Sequence, residues 1–193
     1  VTAPPAPVLT TARLALREIV ADDAPFVRAL LNDPGFIEQI GDRGIGSDDD
    51  ARRYIADRYT DHYARHGYGI YLVETDGVAI GTCGLVCRDG FAAPDLGYAF
   101  LAARCGQGFG REAAEAVLRY GRDFLRLKTI IAFTKPGNLA SAALLRRLGF
   151  VEEGLRELAG YPGMSLLFRH AFPDPVDRLG DAQPSPTAGA TSS

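Results

Sequence analysis

No stretch of this 193-residue chain is apolar for long enough to span a bilayer, which takes about 20 residues as a helix. A membrane protein is therefore not expected. Excess basic charge is also lacking: 21 Lys and Arg stand against 24 Asp and Glu, leaving −3 at pH 7. A domain that grips DNA or RNA carries a basic patch or stripe, so no direct nucleic-acid partner is expected. Cysteine is scarce and odd in number. Cys83, Cys87 and Cys105 cannot all pair within one chain, and no histidine lies close to them in sequence. They lack the ligand pattern of a zinc site and read as reduced thiols in a core, with no metal expected. The opening VTAPPAPVLT has neither the basic part nor the long apolar part of a secretory signal, so the expected compartment is the cytoplasm. No Gly-Lys-Ser/Thr follows the glycine-rich run at 106–110, which argues against a Walker loop and a kinase.

What is present is an ordinary globular balance, 47% hydrophobic and 23% charged, in a length that fits one well-cored domain. Residues 1–9 are rich in Pro and Ala and read as a flexible lead. The stretch 173–193, PDPVDRLGDAQPSPTAGATSS, has little to bury and reads as a disordered tail. A single domain is expected over 10–172. Within it, 13–19 alternates as a half-buried strand. Asp22 caps a helix that ends at Asn32-Asp33-Pro34-Gly35, and Ser47 to Asp50 resembles a capping box for a helix running to about His66. A hairpin spans 69–74 and 78–87, and 95–101 is the next strand. The strongest helix is 109–126, with Phe109, Ala113, Ala116, Val117, Tyr120, Phe124 and Leu127 as its apolar stripe. A strand at 128–134, a short helix at 138–148 closed by Gly149, and strands at 151–158 and 164–169 complete the chain. The order β-α-α-β-β-β-α-β-α-β-β lacks the strict alternation of a doubly wound dinucleotide fold. The expected class is α/β with a mixed, twisted sheet and helices on both faces.

Gly106, Gly108 and Gly110 alternate immediately before the strongest helix. Glycine lets backbone N–H groups face a ligand, and a helix start adds unpaired donors and partial positive charge. Such a loop suits a pyrophosphate, with Arg104 and Arg111 adding charge at its rim. Asn138 and Ser141 open the following helix, where Asn138 reads as a cap or as a ligand contact.

The segments LGYAF at 96–100, GQGFGREA at 106–113, NLAS at 138–141, RRLGF at 146–150 and EG at 153–154 together resemble the GNAT superfamily of acetyl-CoA-dependent N-acyltransferases. LTTARLALREIVADDAPFVRALLNDP at 9–34 is similar to the start of its ribosomal-protein (RimJ/RimL-like) branch. The resemblance implies a largely antiparallel GNAT-like sheet, splayed between strands 95–101 and 128–134, with acetyl-CoA in the splay. It implies that Phe100, Leu101 and Ala102 pair with the pantetheine, that Gln107, Gly108, Phe109 and Gly110 meet the pyrophosphate, that Asn138 contacts the pantetheine arm, and that Ser141 lies near the thioester sulfur. The implied reaction is direct attack of a neutral amine on the thioester in a ternary complex. The acceptor is a protein N-terminus, an amino acid, a polyamine or an antibiotic, and the enzyme is a homodimer or a monomer.

Attack by an amine needs a base and a donor for the developing oxyanion. Asp95 is the expected base, acting through water, and Ser141 the expected partner of the departing thiolate. The position where many family members carry a Tyr is Leu145 here, which leaves Tyr98 and Tyr161 as substitutes for that acid. Three alternatives stand beside this: a nucleotide-dependent oxidoreductase or kinase, an acetyl-CoA sensor without turnover, and a ping-pong route through Cys105, whose thiolate a helix start would favour. His62 and His66, four apart, read as surface residues, and Asp48 to Asp50 as a helix start.

Overall fold

The computed structural model describes residues 4–158 and 163–173, so Tyr161 and most of the expected tail lie outside the described residues. Among the described residues one sheet contains β1 (Leu9–Thr10), β2 (Ala15–Arg17), β3 (Ile70–Thr75), β4 (Val78–Val86), β5 (Asp95–Phe100), β6 (Thr129–Thr134), β7 (Val151–Glu157) and β8 (Met164–Ala171). Their spatial order is β1-β2-β3-β4-β5-β6-β8-β7. Each neighbouring pair is antiparallel except β5 and β6, which run parallel. The helices are α1 (Ala24–Leu31), α2 (Pro34–Gln39), α3 (Asp48–Ile55), α4 (Asp61–His66), α5 (Phe109–Asp123) and α6 (Leu139–Arg147). This is the expected mixed sheet covered on both faces.

Alternation along the strands decides which helices cover which face. In β3, Tyr71 and Val73 join a core with Phe109, Ala113 and Val117 of α5 and Leu145 of α6. Leu72, between them, joins a second core with Val27 and Leu31 of α1 and Ile55 of α3. The central strands are thus held from both sides.

Local features depart from the sequence expectations, beginning with Leu9, which falls in the expected flexible lead yet pairs with Leu16 as part of β1. Asn32 to Gly35 does end α1, yet it also starts α2. Asp33 Oδ1 accepts a 2.8 Å hydrogen bond from the Gly35 N–H, and Pro34 takes the first helical position. The residues that stop one helix are those that cap another. The long helix expected to run to His66 is interrupted by a π-helical segment at Ala56–Thr60, where the buried Tyr59 stands edge-on to Tyr54; one π turn shifts the facing of the residues that follow it. Helix α5 stops at Asp123, short of the expected 126. The Leu127 N–H reaches back to the Gly121 carbonyl at 2.9 Å with Arg126 at φ 56°. That turn directs the chain into β6 and leaves Phe124 outside the core, 73% exposed and stacked on Tyr120. Finally, only Cys83 is a core thiol; Cys87 and Cys105 are exposed. No helix among the described residues is long and apolar enough to cross a membrane.

Candidate active site

The parallel strands β5 and β6 pair at a single register position, Asp95 opposite Ile131, where the Ile131 N–H donates to the Pro94 carbonyl at 2.9 Å. Beyond it they part. On its other edge β5 pairs with β4 throughout, and the Leu101 N–H donates to the Ile80 carbonyl at 3.1 Å. Peptide groups alternate sides along a strand. With Pro94 and Leu101 pointing in opposite directions, the peptide groups of Tyr98 and Phe100 face the gap. They are hydrogen-bonding groups with no strand opposite. The register refines the expectation for this edge: Phe100 faces the gap, while the Leu101 N–H is committed to β4 and the Ala102 N–H donates to Asp33 Oδ2 at 3.1 Å.

At the end of the gap lies the glycine loop. Gly106 and Gly108 adopt φ of 77° and 83°, a region in which a side chain is strained. Gly108 is the N-cap of α5 and no side chain caps the helix, so the N–H groups of Phe109, Gly110 and Arg111 are left for an external partner. The first helical bond runs from the Glu112 N–H to the Gly108 carbonyl at 3.1 Å. Gln107 turns its side-chain amide to the Ala103 carbonyl. Of the two arginines expected at the rim, Arg111 is tied to Glu115 at 2.7 Å, while Arg104 makes no ion pair among the described residues. The sequence reading missed Arg13. Its guanidinium lies 4.6 Å from the Phe109 ring centre, bonds the Gln107 carbonyl at 3.1 Å and is anchored by Glu112 at 2.6 Å. Only the packing of the β1–β2 segment against the start of α5 brings it there. Asp33 is a second such residue. With the Lys135 ammonium donating to the Glu38 carbonyl, it ties α2 to both flanks of the gap.

Asp95 stands where the strands begin to part. It is 2% exposed, and its Oδ2 accepts from Arg88 Nε at 2.5 Å. Burial raises the carboxyl above its ordinary 3.8, against the pull of the Arg88 charge and hydrogen bond. Across the gap, Asn138 caps α6 by accepting from the Ser141 N–H at 3.0 Å, as its capping reading expected. The Ser141 hydroxyl meets the Tyr98 hydroxyl at 2.8 Å. Leu145 is buried in the core and offers no proton. Tyr98, one of its two named substitutes, is instead drawn to Ser141. Burial lifts its phenol to about 12, so the group stays protonated.

The remaining expectations sort themselves by contact. Cys105 Sγ lies 3.6 Å from the Leu101 carbonyl, and partial burial together with the Asp33 charge raises its pKa. That opposes the thiolate a ping-pong route requires. Ser47 and Asp50 form a reciprocal capping box, Ser47 Oγ accepting at 3.1 Å and Asp50 Oδ2 at 2.8 Å, and Asp49 pairs with Arg52 at 2.6 Å. The Asp48 to Asp50 run is thus used in starting α3.

The acetyltransferase (GNAT) domain pattern matches residues 13–151. The uncharacterized N-acetyltransferase p20 of Bacillus licheniformis is 32% identical over 152 residues, which is 76% of this chain and 84% of that protein. Among solved structures, the acetyltransferase from Agrobacterium tumefaciens str. C58 superposes with a TM-score of 0.74 at 24% identity, over 89% of this chain and 98% of that one. The ribosomal L7/L12 alpha-N-protein acetyltransferase RimL, in complex with coenzyme A, does so with 0.70 at 19%, over 83% and 95%. Similarity at these identities speaks for a shared fold. The domain match, which runs from Arg13 into β7 and so takes in both sides of the gap, speaks for descent: this chain belongs to the acetyltransferase (GNAT) family.

Proposed function

We propose that the protein is a RimJ/RimL-like N-acetyltransferase of the cytoplasm that passes the acetyl group of acetyl-CoA directly to a primary amine, and that the amine is a protein N-terminus. One observation carries this reading: a gap between β5 and β6 where the peptide groups of Tyr98 and Phe100 face no strand, with an uncapped 15-residue helix at its end. Those donors fit the amide-bearing arm and the pyrophosphate of CoA respectively. The residues assigned to hold it are Tyr98 and Phe100 through their backbone, the N–H groups of Gly108 to Arg111, and Arg13 and Arg104 at the rim. Bound acetyl-CoA supplies an acyl group activated as a thioester.

The protein's own part is positioning and proton movement. Asp95, through water, takes the proton that the ammonium must lose. A gap-facing N–H of β5 donates to the carbonyl oxygen as it gains negative charge. Ser141 donates to the departing sulfur, with Tyr98 behind it as the hydroxyl that reorients Ser141. The acceptor assignment rests on the likeness to RimL, a protein acetyltransferase, and the exposed edge strand β7, with Val151 and Leu155 outward, is the place for a contact in the homodimer, one of the two states left open by the sequence.

The direct test mixes the protein with acetyl-CoA and a panel of peptide N-termini, amino acids, polyamines and aminoglycosides, following thiol release. Turnover confined to peptides is expected; turnover only with a small amine would replace the acceptor, and absence of CoA binding by calorimetry would remove the whole reading. Two substitutions probe the parts. Gly108→Ala forces a side chain into φ 83° with its Cβ 3.4 Å from Arg13, which costs about 1–2 kcal/mol. CoA affinity should weaken by roughly 10-fold, which corresponds to about 1.4 kcal/mol, and an unchanged Kd would deny the loop its role. Ser141→Ala should lower kcat by about 10-fold or more with KM for acetyl-CoA little altered; a pure KM effect would make Ser141 a binding residue.

A further inference from the structure

The chain turns sharply after β4, and Cys87 comes to rest beside α4, whose His62 and His66 lie one turn apart with ring centres 4.4 Å from each other. Their potential ligand atoms and the Cys87 sulfur all lie within 4.8 Å of one another. We propose that His62, His66 and Cys87 form a binding site for a borderline divalent transition-metal ion of the Zn2+ type, leaving a fourth position open to water or another donor.

The residue types suit that ion. Imidazole nitrogen and thiolate are its usual ligands, at about 2.0–2.1 Å and 2.3 Å, so tetrahedral neighbours stand roughly 3.3–3.7 Å apart. Closing from 4.8 Å takes only side-chain rotation, and both His66 and Cys87 are exposed and able to rotate. More telling is what stands behind the ligands. His62 Nδ1 is 2.8 Å from the Tyr68 carbonyl, which fixes its proton there and leaves Nε2 as the lone pair. A ligating histidine typically holds its other ring nitrogen in this way. Nε2 is directed at the Cys87 segment, where it accepts the Cys87 N–H at 3.0 Å; an ion would take over that lone pair and return an exposed N–H to water. The Tyr68 hydroxyl lies 3.1 Å from Cys87 Sγ, placed to donate to a thiolate. On binding, the S–H bond breaks, a sulfur–metal bond forms, and the proton leaves to buffer.

The site ties α4 to the residue before Arg88, whose guanidinium holds Asp95. It thus lies at the same end of the sheet as Asp95, but it requires nothing of the acetyl-transfer reading. The sequence pattern concealed it: the histidines and Cys87 are 21 and 25 residues apart, without the short spacings of a zinc motif.

The full chain, reduced and free of metal, should be titrated with Co2+ without oxygen. One equivalent is expected, with a thiolate-to-cobalt band in the near ultraviolet that Zn2+ bleaches. Cys87→Ser should abolish the band and His66→Ala should weaken binding at least about tenfold, while Cys105→Ser leaves both unchanged. No band, a band that survives Cys87→Ser, or one lost in Cys105→Ser would overturn the site. A second measurement needs no variant: Zn2+ should protect Cys87 but not Cys105 from maleimide, mapped by peptide mass. Equal labelling of Cys87 with and without Zn2+ would overturn it as well.

Discussion

Asp95→Asn should lower kcat by about 10²–10⁴-fold, the usual contribution of a positioned base, while the Kd for CoA stays within about twofold of its value, a difference below 0.5 kcal/mol. The expectation rests on where Asp95 stands. It is the one residue of β5 in register with β6, so its carboxyl sits at the vertex of the gap and away from the pyrophosphate loop. Burial raises its pKa, which brings a carboxylate closer to the range in which it can accept a proton near neutrality. The sign follows directly. A base works ionised, so kcat/KM should fall as pH drops through the Asp95 pKa. The acidic limb should lie above the ordinary 3.8 and vanish in Asp95→Asn. Arg88 loses its ion pair with Asp95 in this variant, but it is 23% exposed and can be hydrated, so circular dichroism should show the fold retained. A folded variant with wild-type kcat would transfer the base role elsewhere.

Arg17→Met should destabilise the domain by about 3–5 kcal/mol, the size seen when one partner leaves a buried ion pair. Arg17 is 6% exposed and serves two carboxylates at once. Its Nη1 and Nη2 each reach Asp23 at 2.8 Å, and Nε and Nη2 reach Glu74 at 3.1 and 2.9 Å. Methionine fills much of the space but leaves two largely buried carboxylates facing each other without a cation. Against a total of about 5–15 kcal/mol for a typical domain, the loss is large. Urea unfolding should show it, and Glu74→Gln added to Arg17→Met should recover part by removing one of the stranded charges. A loss under about 1 kcal/mol, the range of exposed pairs, would mean that the trio is not held as described. The network matters for the site because it pins β2 and β3 to the start of α1. From there the chain runs to Asp33 and its contact with Ala102.

Much of the site was legible along the chain because it is local. A glycine that must adopt positive φ, a helix without a capping side chain and an Asn three residues ahead of its partner N–H are each set within a few residues, and Gly106, Gly108 and Asn138 occupy the roles their neighbours imply. Helix ends were less legible. Asp33-Pro34 serves equally as a stop and a start, and only the packing of α2 across the gap selects both. Phe124 fits the apolar stripe of α5 in sequence yet lies past the point where the chain must turn toward β6.

By itself, then, the sequence determined the succession of strands and helices from β3 onward and the glycine loop before α5, which follow from periodicity and turn chemistry over short distances, while its motif segments between 96 and 154 carried the resemblance to the family. The tertiary structure alone decided which edge of β5 faces the gap, and that Arg13 reaches Gln107 across the domain. It likewise decided that Tyr98 meets Ser141 and that Cys87 joins His62 and His66. Each depends on strand register and on the packing of helices onto the sheet, which bring together residues separated by 21 to 94 positions in the chain.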